Sequence, residues 1–266
     1  DPRRIEQWKQ WFSWGDDPQL SYTCAGINHM AFFLRLESDG RDLYPSLRQM
    51  LDKPHLLRMD PVRFEVFRHF GWFMTETSGH FAEYVPWFLK DDQEIAARHL
   101  VPSSYLQTCQ RQDRSYQTMR DALLAGRSVI ETPYKLSVEY ASRIINAAVT
   151  DRPFVFNGNV HNRGGSLITN LPGDACVEVP CLANRAGVTP AYIGDLPSQC
   201  AGLIRTNISV QDLVVQGLLE GNRQAIVQAA MLDPNTASQL TMPQIAQLVD
   251  RMFTAQKPWL PASLQG

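Results

Sequence analysis

Apolar residues three or four positions apart predict helices over 43–51, 61–70, 107–124, 137–148, 213–231 and 242–253. A further helix is predicted over 3–14, where Ile5, Trp8, Trp11 and Phe12 fall at helical spacing before the stop Gly15-Asp16-Asp17-Pro18. Between 20 and 37 the chain is rich in aromatic and apolar residues interrupted by Gly26-Ile27-Asn28-His29, which predicts two strands around a polar loop, with a turn at Ser38-Asp39-Gly40. Shorter strand-like runs lie at 154–156, 175–180 and 188–193, with Gly164-Gly165 and Asn184-Arg185-Ala186-Gly187 as turns. Helices are thus mixed with antiparallel hairpins, without the regular strand–helix alternation of a doubly wound sheet, so the expected class is α+β.

Composition narrows the function classes. With 266 residues, 44% of them hydrophobic, the chain can bury an ordinary globular core. Twenty-five basic residues balance 27 acidic ones with no long run of either sign, which argues against a nucleic-acid partner. No run of apolar residues is long enough for a membrane span, and the segment opening at Asp1 lacks a signal-peptide pattern. Five cysteines, an odd number spread over the chain, fit reduced thiols better than a disulfide framework, and a cytoplasmic setting is expected. The chain opens without an initiator methionine and reads as part of a longer protein. It also lacks a Gly-x-Gly-x-x-Gly turn after a strand, so a dinucleotide would bind largely elsewhere.

Three segments hold candidate chemistry. In Cys24-Ala25-Gly26-Ile27-Asn28-His29-Met30 a histidine between apolar flanks is a candidate metal ligand and Asn28 a candidate sugar-hydroxyl partner, the competing reading being a satisfied core histidine. The run 75–88 mixes Glu76, His80 and Glu83 with four aromatics, as a carbohydrate pocket does, and as a loop pinned by core aromatics also does. Asparagine- and glycine-rich 157–165, followed by Asn170, reads first as turns. Cys176 and Cys181 have no second pair, so a zinc site is not expected.

Taken in order, Cys24-Ala-Gly-Ile-Asn-His-Met, Gly79-His-Phe-Ala-Glu-Tyr-Val-Pro-Trp-Phe88, Ser137-Val-Glu-Tyr-Ala, Asn170-Leu-Pro and Val177-Glu-Val resemble glycoside hydrolase family four, most closely its bacterial α-galactosidases. That resemblance implies a carboxy-terminal domain over 1–266, similar to the second domain of lactate and malate dehydrogenases, with an amino-terminal Rossmann NAD domain outside this chain. It implies NAD and manganese as cofactors and a small α-glycoside as substrate, and a homo-oligomer is expected. It also implies an oxidation–elimination–addition–reduction route outside the two-carboxylate scheme. His29 would be a metal ligand, its cysteine partner falling before Asp1, and Tyr84 the base. Asn28, Glu76, His80 and Asn170 would line the substrate pocket. An ordinary phenol, with a pKa of about 10, needs a cationic neighbourhood to act as base near neutrality. Related members carry a basic residue where this chain has Val138, and Thr108 is a comparable departure, so galacturonides, glucuronides and glucosides stay open beside galactosides. The alternative of another class is a non-catalytic sugar-binding or oligomerisation domain.

Overall fold

A computed structural model describes residues 20–102, 104–127 and 139–265. The helix expected over 3–14, and Val138, lie outside the described residues.

The order of elements begins with a hairpin, β1 (Leu20–Ile27) and β2 (Met30–Ser38), and a short β3 (Arg41–Asp42). Helices α1 (Tyr44–Met50), α2 (Pro54–Leu57), α3 (Pro61–Phe70) and α4 (Ser78–Phe81) follow, the last running into a 3-10 turn at Ala82–Tyr84. Next come α5 (Asp92–Ala97), α6 (Ser104–Leu124) and α7 (Ala141–Thr150). A second hairpin, β4 (Phe154–His161) and β5 (Cys176–Asn184), is extended by β6 (Gly187–Pro190), and α8 (Ser198–Glu220), α9 (Arg223–Leu232), α10 (Pro234–Gln239) and α11 (Met242–Gln256) complete the chain. Among the described residues one sheet runs β3-β2-β1-β5-β4, with β6 also paired to β5, and every strand pairing is antiparallel. The expected α+β class is what forms. Among these residues no helix is long and apolar enough to cross a membrane.

The first hairpin is the scaffold of the site. The consecutive residues Cys24-Ala25 and Met30-Ala31-Phe32 are fully buried, so the hairpin is covered on both faces near its turn, with Cys24 and Ala25 entering different core clusters. Ile27 pairs with Met30, leaving Asn28-His29 as a two-residue turn with His29 at φ 64°. Glycine is required just before it: a Cβ on Gly26 would stand 2.2 Å from the Met30 carbonyl oxygen. The other edge of β2 is covered by residues 73–75, through Phe33 N–H to Phe73 O (2.9 Å) and Thr75 N–H to Ala31 O (3.0 Å). Arg63, buried in α3, locks this segment by donating to Met74 O at 2.7 and 3.2 Å while its guanidinium lies over the Phe73 ring. Ser78 Oγ in turn accepts from the Val62 and Arg63 amides at 3.0 and 3.2 Å, satisfying two of the free donors at the start of α3.

The structure corrects four sequence expectations. The polar run from Asn157 to His161 is strand, not turn: Phe156, Gly158 and Val160 alternate with Asn157, Asn159 and His161 along β4, all paired to β5. β5 itself continues past Pro180 to Asn184, because Pro180 lacks only a donor and its carbonyl accepts from Ala191 N–H at 2.8 Å. The helix expected over 213–231 is two: Gly221 at φ 65° ends α8, and the Asn222 side chain caps α9 by accepting from Ala225 N–H. The helix expected over 137–148 is described only as 141–150.

Candidate functional site

The tip of the first hairpin meets α4 and its 3-10 turn, and three side chains close on one another there. His29 Nδ1 lies 2.6 Å from Glu76 Oε2. His80 Nδ1 stands 3.8 Å from Glu76 Oε1, and His80 Nε2 3.8 Å from Glu83. The His29 and His80 rings are 4.1 Å apart, and the Tyr84 ring lies 5.7 Å from His29, nearly parallel at 19°, and 5.8 Å from His80. Glu76 reaches this place because residues 73–75 run along β2, and its second oxygen accepts from Thr77 N–H at 2.7 Å. Tyr84 is tied to the core from behind by Asn207 of α8, whose amide donates to the Tyr84 carbonyl at 3.2 Å.

The second hairpin adds to this group across the β1–β5 junction. Glu178 pairs with Gly26, and Asn159, opposite Glu178 on β4, donates to the Asn28 side chain at 3.3 Å. Neither Asn159 nor Glu178 was recognised from the sequence as a site residue. The signal for Asn159 was the period-two alternation of β4, hidden by the turn propensity of asparagine and glycine. Glu178 sits between Val177 and Val179, both fully buried, and strand alternation puts its side chain on the face opposite theirs, where it is only partly buried.

Electrostatics distinguish these groups. Burial pushes the Glu178 carboxyl up to about 7, with His29 opposing and Glu76 adding to the rise. Burial also pushes Glu76 upward, but the hydrogen bonds from His29 and the Thr77 amide and the nearby His80 imidazole outweigh it and hold the carboxyl below its ordinary value. Burial, then the Glu83 and Glu76 carboxylates, raise the Tyr84 phenol above its usual value. Cys24, on β1 of the hairpin, is fully buried, and desolvation together with Glu178 pushes its thiol far up, so it stays protonated.

His29, Glu76, His80, Tyr84 and Asn28 are thus brought together. Asn170 is engaged elsewhere: its amide donates to Leu196 O at 2.8 Å and accepts from Leu196 N–H at 3.0 Å, joining two loops. The donor atoms of His29, Glu76 and His80 all lie within 4.8 Å of one another, so imidazole nitrogens suited to a divalent transition metal are grouped with a carboxylate that can either ligate or orient them. Beside His80 and Glu83 a cavity of about 750 Å³ opens, lined also by Arg58, Thr77, His99 and Tyr105, a volume sufficient for a sugar.

Comparison with known proteins identifies the family and the fold. Residues 24–236 match the model of the family 4 glycosyl hydrolase C-terminal domain. The chain is 42% identical over 240 residues to an alpha-galactosidase of Bacillus subtilis (strain 168), covering 89% of this chain and 54% of that protein. A crystal structure of a 6-phospho-alpha-glucosidase from gut microorganisms in complex with NAD and glucose-6-phosphate superposes with a TM-score of 0.72 at 18% identity, over 98% of this chain and 60% of that one. Another, in complex with NAD and Mn2+, gives 0.67 at 19%, over 91% and 57%. These two likenesses establish the fold, similar to the second domain of lactate and malate dehydrogenases. The chain spans about half the length of the curated relatives it matches. On the family model and the identity over most of its length, this chain belongs to glycosyl hydrolase family 4, as that family's C-terminal domain.

Proposed function

We propose that this chain supplies the substrate- and metal-facing half of an α-galactosidase that uses NAD and manganese, the NAD-binding fold being contributed by a separate domain. The observation that carries the reading is the convergence of His29, Glu76, His80 and Tyr84 at one hairpin tip of a family 4 domain. The α-galactosidase relative supports the substrate, and the solved complexes with NAD and Mn2+ support the cofactors. When bound, the nicotinamide supplies reversible hydride transfer at the sugar ring, and the divalent ion supplies Lewis acidity at neighbouring sugar oxygens.

The residues of the chain divide the remaining work. His29 holds the ion. Tyr84 accepts the proton on the ring carbon next to the oxidised one at its phenolic oxygen, and Asn28, oriented by Asn159, binds a sugar hydroxyl. His80, near the Glu76 and Glu83 carboxylates, is on the wall of the neighbouring cavity and would contact the part of the substrate that extends into it. Burial and the two carboxylates hold the Tyr84 phenol protonated in the isolated chain, so its activation requires the positive charge of the bound cofactors. The chain without its NAD-binding partner is accordingly expected to lack turnover.

The test is hydrolysis of an aryl α-galactoside by the full-length protein before and after stripping NAD and metal. Activity should vanish on removal of either and return on adding both. Undiminished cleavage after complete removal would overturn the oxidative assignment.

A further inference from the structure

We propose that Glu76 is a positioning residue that holds His29 in the Nδ1–H tautomer and so presents the bare Nε2 as the ligand atom. The inference deepens the reading of His29 as a metal ligand and rests on it for its functional consequence. An ionised carboxylate only accepts hydrogen bonds, so the 2.6 Å contact between His29 Nδ1 and Glu76 Oε2 places the proton on Nδ1. Both Glu76 oxygens are occupied, Oε1 by the Thr77 amide at 2.7 Å, so the carboxylate is fixed on two sides. His80 stands 3.8 Å away, too far to compete for either oxygen.

The remainder of His29 is equally constrained. Its backbone is committed to φ 64° by the two-residue turn, and its ring is flanked by His80 and Tyr84. Among the described residues no hydrogen bond reaches Nε2. A carboxylate on one imidazole nitrogen with the other left for the ion is the arrangement that raises ligand basicity and fixes ring orientation in metal sites. Delivery of Glu76 is built into the fold, because Thr75 pairs with Ala31 and Arg63 grips the Met74 carbonyl immediately before it.

The substitution Glu76→Gln separates this role from direct ligation. A carboxamide has one accepting and one donating end. The Thr77 N–H can only donate, so the amide oxygen turns to it and the NH2 faces His29 Nδ1, which must then be unprotonated. The proton moves to Nε2 and blocks ligation there, since a protonated ring nitrogen has no free lone pair. Two measurements decide the matter. Long-range 1H–15N correlation on the metal-free protein reads the tautomer, with the ring signals assigned by their loss in His29→Asn. Titration with Mn2+ followed by electron paramagnetic resonance reads the affinity.

The expected results are Nδ1–H in the parent protein, Nε2–H in Glu76→Gln, and Mn2+ binding weakened about 10- to 100-fold by that substitution. An Nε2–H parent, or a Glu76→Gln variant that keeps the Nδ1–H form, overturns the proposal. Weakened Mn2+ binding with Nδ1–H retained would identify Glu76 as a direct ligand and overturn it equally. Mn2+ affinity unchanged in His29→Asn would overturn the metal role of His29 instead, and the tautomer of the metal-free protein would still decide what Glu76 does.

Discussion

Glu178 stores a pH-dependent cost that can be removed by changing one atom. Its carboxyl titrates at about 7 in the folded chain against 4.5 for the ordinary group, chiefly through burial on β5. The folded state therefore holds a proton that the unfolded state has already released between these two values. Below about pH 4.5 both states are protonated and the cost is nil. It grows as pH rises through this window, and above about 7 it is complete. At about 1.4 kcal/mol for each tenfold difference in proton affinity, the full penalty is about 3 kcal/mol. Glu178→Gln keeps the shape of the protonated acid and cannot ionise, so it should stabilise the protein by about 3 kcal/mol at pH 8 and by nearly nothing at pH 4. In a thermal melt with chelator present, the alkaline gain corresponds to about 6–10 °C. Urea unfolding of both proteins across this range provides the free energies. A stability difference that does not change with pH, or a variant less stable than the parent at pH 8, would refute the reasoning.

Two further outcomes follow from particular contacts. Asn162 is fully buried, and its side chain donates to the carbonyls of Ile168, Leu171 and Pro172 and accepts from Ile168 N–H. Asn162→Ala leaves those backbone groups unpaired and should cost about 3 kcal/mol in urea unfolding, and a loss below about 0.5 kcal/mol would show that the loop does not depend on it. In the full-length protein Tyr84→Phe should lower kcat by about 10²–10⁴-fold with the unfolding midpoint unchanged, whereas a kcat equal to the parent's would remove Tyr84 from proton transfer.

The sequence was most informative where local pattern and burial coincide. The hairpin at 20–38, α3 and α11 all follow directly from apolar spacing, since each buries the face its pattern defines. The candidate site was legible where its residues are close in sequence: Asn28 and His29 in one turn, and Glu76 to Tyr84 in the nine residues that lead into and through α4 and its 3-10 turn. Nothing local indicated that the first would lie against the second, because contact depends on residues 73–75 joining the edge of β2. Asn159 and Glu178 were hidden for a related reason, as they reach the tip only through the pairing of separate hairpins. Asn170 shows the converse. An asparagine among turn residues looks equally suited to a sugar or to a loop junction, and only its partners at Leu196 distinguish them.

The pairing between β1 and β5 has a mechanical meaning. A single registered pair, Gly26 with Glu178, joins the two hairpins, whereas each hairpin is zipped along eight pairs of its own. The candidate site straddles that junction, with His29 and Asn28 on one hairpin and Asn159 and Glu178 on the other, while Ala25, Ile27, Met30 and Phe32 share one buried core with Val177, Val179 and Cys181. Anything bound across that line adds to what the shared core already does in holding the two hairpins together, by an amount set by how tightly it is held. Occupancy of the site and cohesion of the domain are in this way linked, so that a change in either is readable in the other.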